Sequence, residues 1–190
     1  MASQIKVNEI IKQSGSSITI GESGDTINIG TTGDTINLAG ATASVAGSSL
    51  VIAEKSGDQT GIADNAFTKI TYETDTYDPD SLWDTSNSRY TAPVAGRYYF
   101  TARAFLFPAT ANGTIVSHRF AKNGSQLTST HMSIGLQSDK QYVSECNLVN
   151  TTILNLAAND YIEYMVQYNV ASGTITCDDV GSQFLAFRLD

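Results

Sequence analysis

Pro93-Val94-Ala95-Gly96-Arg97-Tyr98-Tyr99-Phe100-Thr101-Ala102-Arg103-Ala104-Phe105-Leu106-Phe107 is the stretch that decides the fold of this chain. Pro93 to Gly96 is turn chemistry, because proline presets φ and glycine tolerates positive φ. The residues after it are rich in aromatic rings, which favour a pleated, half-buried surface over a helix. Tyr98 and Phe100 stand two apart, as do Phe105 and Phe107, which is the period of a strand. The two pairs fall on opposite phases, so the alternation is mixed.

Outward from this stretch the same pattern recurs. Strands are expected over 49–54, 67–74, 89–91, 96–107, 114–122, 125–133, 142–156, 161–169, 174–178 and 182–189. Turn signals separate them: Asp78-Pro79, Asn112-Gly113, Asn123-Gly124, Asn159-Asp160 and Ser172-Gly173. Asn-Gly suits a tight hairpin because both central positions need positive φ. No long amphipathic helix stands out, and many short strands at regular spacing predict an all-β sandwich or barrel. Tyr161 to Val166 is apolar nearly throughout. A strand apolar on both faces packs on its own core and on a second surface, here expected to be a neighbouring subunit.

Five patterns then stand in a fixed order. Tyr77-Asp78, followed by Arg89-Tyr90-Thr91-Ala92, leads in. Pro93 and Gly96-Arg97-Tyr98-Tyr99-Phe100 open the long strand, and Lys122-Asn123-Gly124 is a central hairpin. Leu156-Ala157-Ala158-Asn159-Asp160-Tyr161-Ile162 precedes a second long strand, and Ser182-Gln183-Phe184-Leu185-Ala186-Phe187 closes the chain. In this order and spacing they resemble the C1q/TNF-like head family. Two positions depart from its pattern: Asn159 and Ala186 each replace a glycine. Asn tolerates the left-handed region, whereas Ala186 is expected to shift a trimer contact. The resemblance implies a ten-stranded jelly roll and a tight homotrimer, with Tyr98, Phe100, Tyr164, Phe184 and Phe187 as core or trimer residues. Some members of the family bind calcium near the threefold axis, but no ligand set maps onto this chain.

Upstream, ITIGESGDT is followed by INIGTTGDT and INLAGATAS, a nine-residue repeat. Ile18, Ile27 and Ile36 correspond, as do Ile20, Ile29 and Leu38. Each unit pairs an alternating strand with a Gly-rich turn. So few repeats bury too little surface alone, and identical chains would supply the rest. Residues 16–47 therefore read as a short trimeric β-shaft similar to the Gly-Asp-Thr-Ile shafts of phage fibres. A calcium-binding nonapeptide roll shares the period but needs a residue between Gly and Asp, and Gly24-Asp25 and Gly33-Asp34 are adjacent. Residues 1–15 carry Ile5, Val7, Ile10 and Ile11, which fit a strand or a helical face equally. A docking peptide for a larger particle and a frayed terminus both remain open. Residues 48–190 form the head.

The chain of 190 residues has a net charge of −8 and no basic run. That excludes a nucleic-acid binder working by counterion release and disfavours an anionic membrane surface. No apolar run spans a bilayer, and the N-terminus lacks the apolar core of a secretory signal, so no membrane insertion and cytoplasmic synthesis are expected. Cys146 and Cys177 read as buried thiols, with a disulfide left open. No C-x2-C or H-x3-H spacing marks a metal. No nucleophile motif involves His118 or His131. His118 alternates with Val116 and Phe120 as a satisfied strand residue, and His131 is expected near a subunit contact.

The segment from Thr74 to Arg89 is the loop richest in recognition chemistry. Tyr77, Asp78, Asp80, Trp83 and Arg89 are candidate receptor contacts, with Asn112, Asp139 and Lys140 on secondary loops. A sandwich-edge plug is the competing role for Trp83. Asp75, Asp78 and Asp80, and the Asp178-Asp179 pair, read as solvated turns or as cation or glycan contacts. Together these features predict a non-enzymatic trimeric fibre or appendage of a phage-type virion. In that reading residues 1–15 dock to another virion protein and the head is displayed on the virion surface for a host glycan or protein. A purely structural trimer that caps or decorates the particle, and a bacterial surface or secreted C1q-like protein, are the alternatives.

Overall fold

Long strands form where the sequence alternates most strictly, and they organise the rest. The computed structural model describes residues 49–108, 113–135, 146–170 and 175–189. The expected docking segment 1–15, the shaft 16–47 and the candidate residues Asn112, Asp139 and Lys140 lie outside the described residues. Fourteen strand segments run in chain order. They are β1 Val51–Glu54, β2 Gln59–Ile62, β3 Thr68–Lys69, β4 Thr74–Tyr77, β5 Trp83–Asp84, β6 Arg89–Thr91 and β7 Gly96–Pro108, then β8 Gly113–Lys122, β9 Ser125–Gln126, β10 Met132–Gly135, β11 Cys146–Leu156, β12 Tyr161–Val170, β13 Ile175–Cys177 and β14 Gln183–Arg188. One 3-10 turn, Thr128–Thr130, lies between β9 and β10.

The named strands pair antiparallel into two sheets. The first has the order β4-β1-β14-β7-β11, and β13 continues the β14 edge of β7 and carries β2. In the second, β8 and β12 pair along their length. β9 and β10 flank β8, β3 and β6 flank β12, and β5 pairs β6. The inward positions of both sheets supply the core. Phe184 lies 4.8 Å from Trp83, 5.9 Å from Tyr72 and 6.1 Å from Phe100, centroid to centroid. Tyr90 packs on Tyr98 and Phe100, and Phe120 on Tyr164. Tilted and edge-on rings at these separations add to the apolar burial itself.

Several expectations change here. The family count of ten strands becomes fourteen segments, because short edge strands pair where no alternation announces them. The single strand expected over 67–74 is a crossing: Thr68–Lys69 pairs β12 in the second sheet, and Thr74–Tyr77 pairs β1 in the first. Ile70 and Tyr72, both buried, fill the passage between the sheets. The strand expected over 125–133 breaks at the 3-10 turn, where the Thr130 hydroxyl accepts from the Phe120 N–H and donates to the Leu127 carbonyl. The mixed phase of β7 resolves into inward Tyr98, Phe100, Ala102, Ala104 and Leu106 and outward Tyr99, Phe105 and Phe107. β12 is not apolar on both faces: Ile162, Tyr164, Val166 and Tyr168 point inward, whereas Glu163, Met165 and Gln167 point outward.

Turn chemistry shows in the backbone. Asn123 and Gly124 take φ of 50° and 76°, the doubly left-handed hairpin that Asn-Gly favours. Asn159 sits at φ 69° and tolerates it as the family's glycine would. Ala186 is buried and faces the core between Val51 and Phe100. It therefore has no part in an outer contact, contrary to the expectation from the missing glycine. Cys146 and Cys177 are free and flank Leu106 on opposite strands. Two strand spacings place them roughly 10 Å apart, beyond disulfide reach.

Candidate functional site

The Thr74–Arg89 loop is built largely by its own polar groups. The Asp78 carboxylate accepts from the backbone N–H of Leu82 at 2.9 Å and of Trp83 at 2.8 Å, which closes the turn. Trp83 is 7% exposed, packs on Phe184 and donates its indole N–H to the Tyr72 carbonyl. It plugs the sandwich edge and presents no ring to a ligand. Arg89 pairs with Asp84 at 3.3 Å and lies over the Tyr161 ring. Asp80 is left exposed on the loop. Tyr77, 47% exposed, is in register with Ile52 and so belongs to the first sheet.

That sheet carries an apolar feature on its outer face. Alternation that sends Tyr98, Phe100 and Phe184 inward sends Tyr99, Leu185 and Phe187 outward. Phe187 stacks on Tyr99 at 4.9 Å, and Ile153, 58% exposed, is the next residue along the same row. In the adjacent row Tyr77, Ile52 and Leu185 follow one another across three strands. Val149 and the edge-on pair Phe105 and Phe107 extend the patch. Of the residues assigned from sequence to core or trimer, Tyr98, Phe100, Tyr164 and Phe184 are fully buried in the core, and Phe187 is on this outer face.

The outer face of the second sheet is polar and internally paired. Lys69 bridges Glu163 at 3.1 Å, and Arg119 lies 3.9 Å above the Phe67 ring centroid. At the end of the sheet Lys122 pairs with Asp160 at 2.6 Å. The Asp160 carboxyl is held down to about 2 by Lys122, the Asn123 side chain and the Ala157 N–H. Ser117, Ser133, His131 and Arg119 form a chain: Oγ to Oγ 2.9 Å, Ser133 Oγ to His131 Nε2 2.8 Å, and His131 Nδ1 to an Arg119 guanidinium nitrogen 3.2 Å. Sequence reasoning left His131 without a polar partner, because these residues come from two strands and a turn.

The serine–histidine pair is wired the wrong way for nucleophilic catalysis. A guanidinium only donates, so with Arg119 on Nδ1 that nitrogen is the acceptor and Nε2 is left to donate to Ser133. A catalytic base needs the reverse, with Nε2 free to take the hydroxyl proton.

His118, 1% exposed, faces the core. Tyr164 donates to its Nδ1 at 2.7 Å, and Asn150, also buried, donates to the Thr130 carbonyl at 2.8 Å close by. Burial, with His131 nearby as the smaller cause, lowers the His118 pKa from 6.5 to about 4, so the ring is a neutral structural acceptor. For cations, Asp58, Asp178 and Asp179 bring carboxylate oxygens within 4.8 Å of one another. Two of those carboxylates are already engaged, Asp58 by the Asp179 N–H and Asp178 by the Val180 N–H. Asp75, Asp78 and Asp80 form no such group.

No protein-family model and no curated protein matches the chain. Solved structures do. The Eiger TNF of S. frugiperda superposes with a TM-score of 0.55 at 10% identity, over 74% of this chain and 92% of that one. Murine APRIL at pH 5.0 gives 0.53 at 10% identity, over 74% and 98%. The globular domain of zebrafish complement 1qA gives 0.49 at 13% identity, over 74% and 97%. The described strands are an all-β two-sheet sandwich resembling the TNF-type jelly roll.

Proposed function

We propose that this chain is a non-catalytic homotrimer whose head is displayed on a short shaft as a fibre or appendage of a phage-type virion. Residues 1–15 dock it to another virion protein, and the head meets a host-surface glycan or protein. The observation that carries the trimer is the outer face of the first sheet. Burying a large apolar side chain stabilises by roughly 1.5–3 kcal/mol, and Ile52, Tyr77, Tyr99, Ile153, Leu185 and Phe187 are adjacent there, with Tyr77 and Ile153 exposed and the others half-buried among the described residues. A contiguous face of this kind marks an interaction surface. Proteins of the C1q/TNF fold are commonly homotrimers and typically non-enzymatic. The nine-residue repeat supports a shaft, since copies of the chain would complete its Ile stripe. Threefold display raises weak site affinity by avidity.

Light scattering of the purified chain tests this. A native mass three times the 20.3 kDa of one chain is the expected result. A folded monomer would overturn both the face and the shaft.

A further inference from the structure

We propose that a trough on the outer face of the second sheet binds a single neutral, hydroxyl-rich ring, the terminal residue of a glycan. The inference rests on reading the head as a binding module and gives that reading a site. The trough holds about 130 Å³ and is lined by Asn65, Ile115, Ser117, Gln167 and Asn169. Such a space is well beyond the ~10–15 Å³ that one water needs.

Strand register builds it. Gln167, Ser117 and Ser133 form one row across β12, β8 and β10, and Asn169, Ile115 and Gly135 form the next. Small residues in the middle of both rows leave the floor low: Ser117 is nearly buried, and nothing lies within 4 Å of where a Gly135 Cβ would stand. The wall is fixed in advance. Asn65 is anchored by its N–H to the Tyr168 carbonyl at 2.8 Å, and Asn169 donates to the Asn65 side-chain oxygen at 2.9 Å. The Gln167 amide has no hydrogen-bond partner among the described residues.

The lining chemistry selects the ligand. Asn65 spends its amide on Asp64 and Asn169, and Ser117 is bonded to Ser133, so the Gln167 amide, which donates and accepts as sugar hydroxyls do, is the principal polar contact. Ile115, 44% exposed, gives the C–H face of a ring an apolar surface. No lining side chain is charged and the nearest charge, the Asp64 carboxylate bonded to Asn65, is negative, so a phosphate or carboxylate would lose its hydration without a counter-charge. A site ordered before binding spends little on ordering itself.

Saturation-transfer NMR on the full chain tests the site with methyl glycosides of glucose, galactose, mannose and N-acetylglucosamine, and with methyl glucuronide as the acidic control. At least one neutral glycoside is expected to bind. Gln167→Ala should weaken it roughly tenfold or more, the size of one or two uncompensated polar contacts. Gly135→Leu, placed in open space without positive φ, should cover Ile115 and abolish binding. Both variants should melt with the parent. Silence across the neutral panel, binding that survives in both variants, or preference for the glucuronide would overturn the proposal. A monomer that still binds would remove the trimer and keep the site, whereas a silent trimer would do the reverse.

Discussion

On the first sheet the residues turned away from the core include Ile52, Tyr99, Ile153, Leu185 and Phe187, with Thr101, Arg103 and Gln183 among them; on the second they include Lys69, Arg89, Ser117, Arg119, Glu163 and Gln167, with Ile115 and Met165 the apolar members. Both sheets obey the same alternation and share one aromatic core, so the fold does not require the difference. What differs is the surroundings each face is suited to. The second has its charges paired within the head and its serines linked to His131. The first has rings and branched aliphatics in two adjacent rows of three strands each, Tyr77-Ile52-Leu185 and Phe187-Tyr99-Ile153, a composition that water does not reward. The lesson is that strand alternation alone does not make an outer face polar: on the first sheet it yields apolar residues on both sides.

The sharpest way to break this comparison is to place one charge on each face. Ile153→Asp should convert the trimer to a folded monomer in light scattering. Met165→Asp, on the second sheet, should leave the mass unchanged. The opposite pattern would assign the interface to the wrong sheet.

Next in size is the shared core. Phe184→Ala, which removes the ring touching Trp83, Tyr72 and Phe100, should cost about 3–5 kcal/mol in denaturant unfolding. Phe187→Ala should cost the isolated head much less, because Phe187 touches Tyr99 on the outside. Equal losses would erase the distinction between core and outer face.

A smaller effect is acid sensitivity from the buried network. His118 is neutral when folded, and its pKa of about 4 lies below the ordinary 6.5. The unfolded chain therefore takes the proton first. This contribution is full above pH 6.5 and is lost as the pH falls toward 4, a decline of ~3 kcal/mol. His118→Gln, which can still accept from Tyr164, should flatten that limb in melts at graded pH. A limb of unchanged slope would place the sensitivity elsewhere. The smallest expected effect is at Asp160, whose carboxyl should titrate near pH 2 by carbon-detected NMR and move up in Lys122→Ala. An unmoved titration would mean that Asn123 and the Ala157 N–H hold it alone.

Much of the sandwich is legible residue by residue. β7, β8, β11, β12 and β14 are long, and their alternation is strong enough to locate them within a few positions. β2 and β5 are not legible, because short edge strands of mixed polarity pair by proximity rather than by pattern. The crossing at Ile70 and Tyr72 looks like one strand, since a chain passing between two sheets buries residues just as a strand does. Tyr161 to Val166 looks apolar on both faces because Tyr161 and Met165 are outward residues with apolar side chains. Once Tyr168 is included, the phase of Ile162, Tyr164 and Val166 exposes the polar outer row. The Thr74–Arg89 loop held recognition-type residues whose partners, the N–H groups of Leu82 and Trp83 and the ring of Phe184, make it structural. The trough was invisible because Asn65, Ser117 and Gln167 lie on separate segments and none belongs to a motif.

By itself the sequence determined the all-β class, the long strands, the Asn-Gly hairpin and the residues rich enough in rings to build a core, because these follow from local periodicity and turn chemistry. Tertiary structure alone decided which outer face is apolar, which histidine is buried, and which amides and hydroxyls share a trough. Those properties depend on strand register and sheet order, set by contacts between residues tens of positions apart.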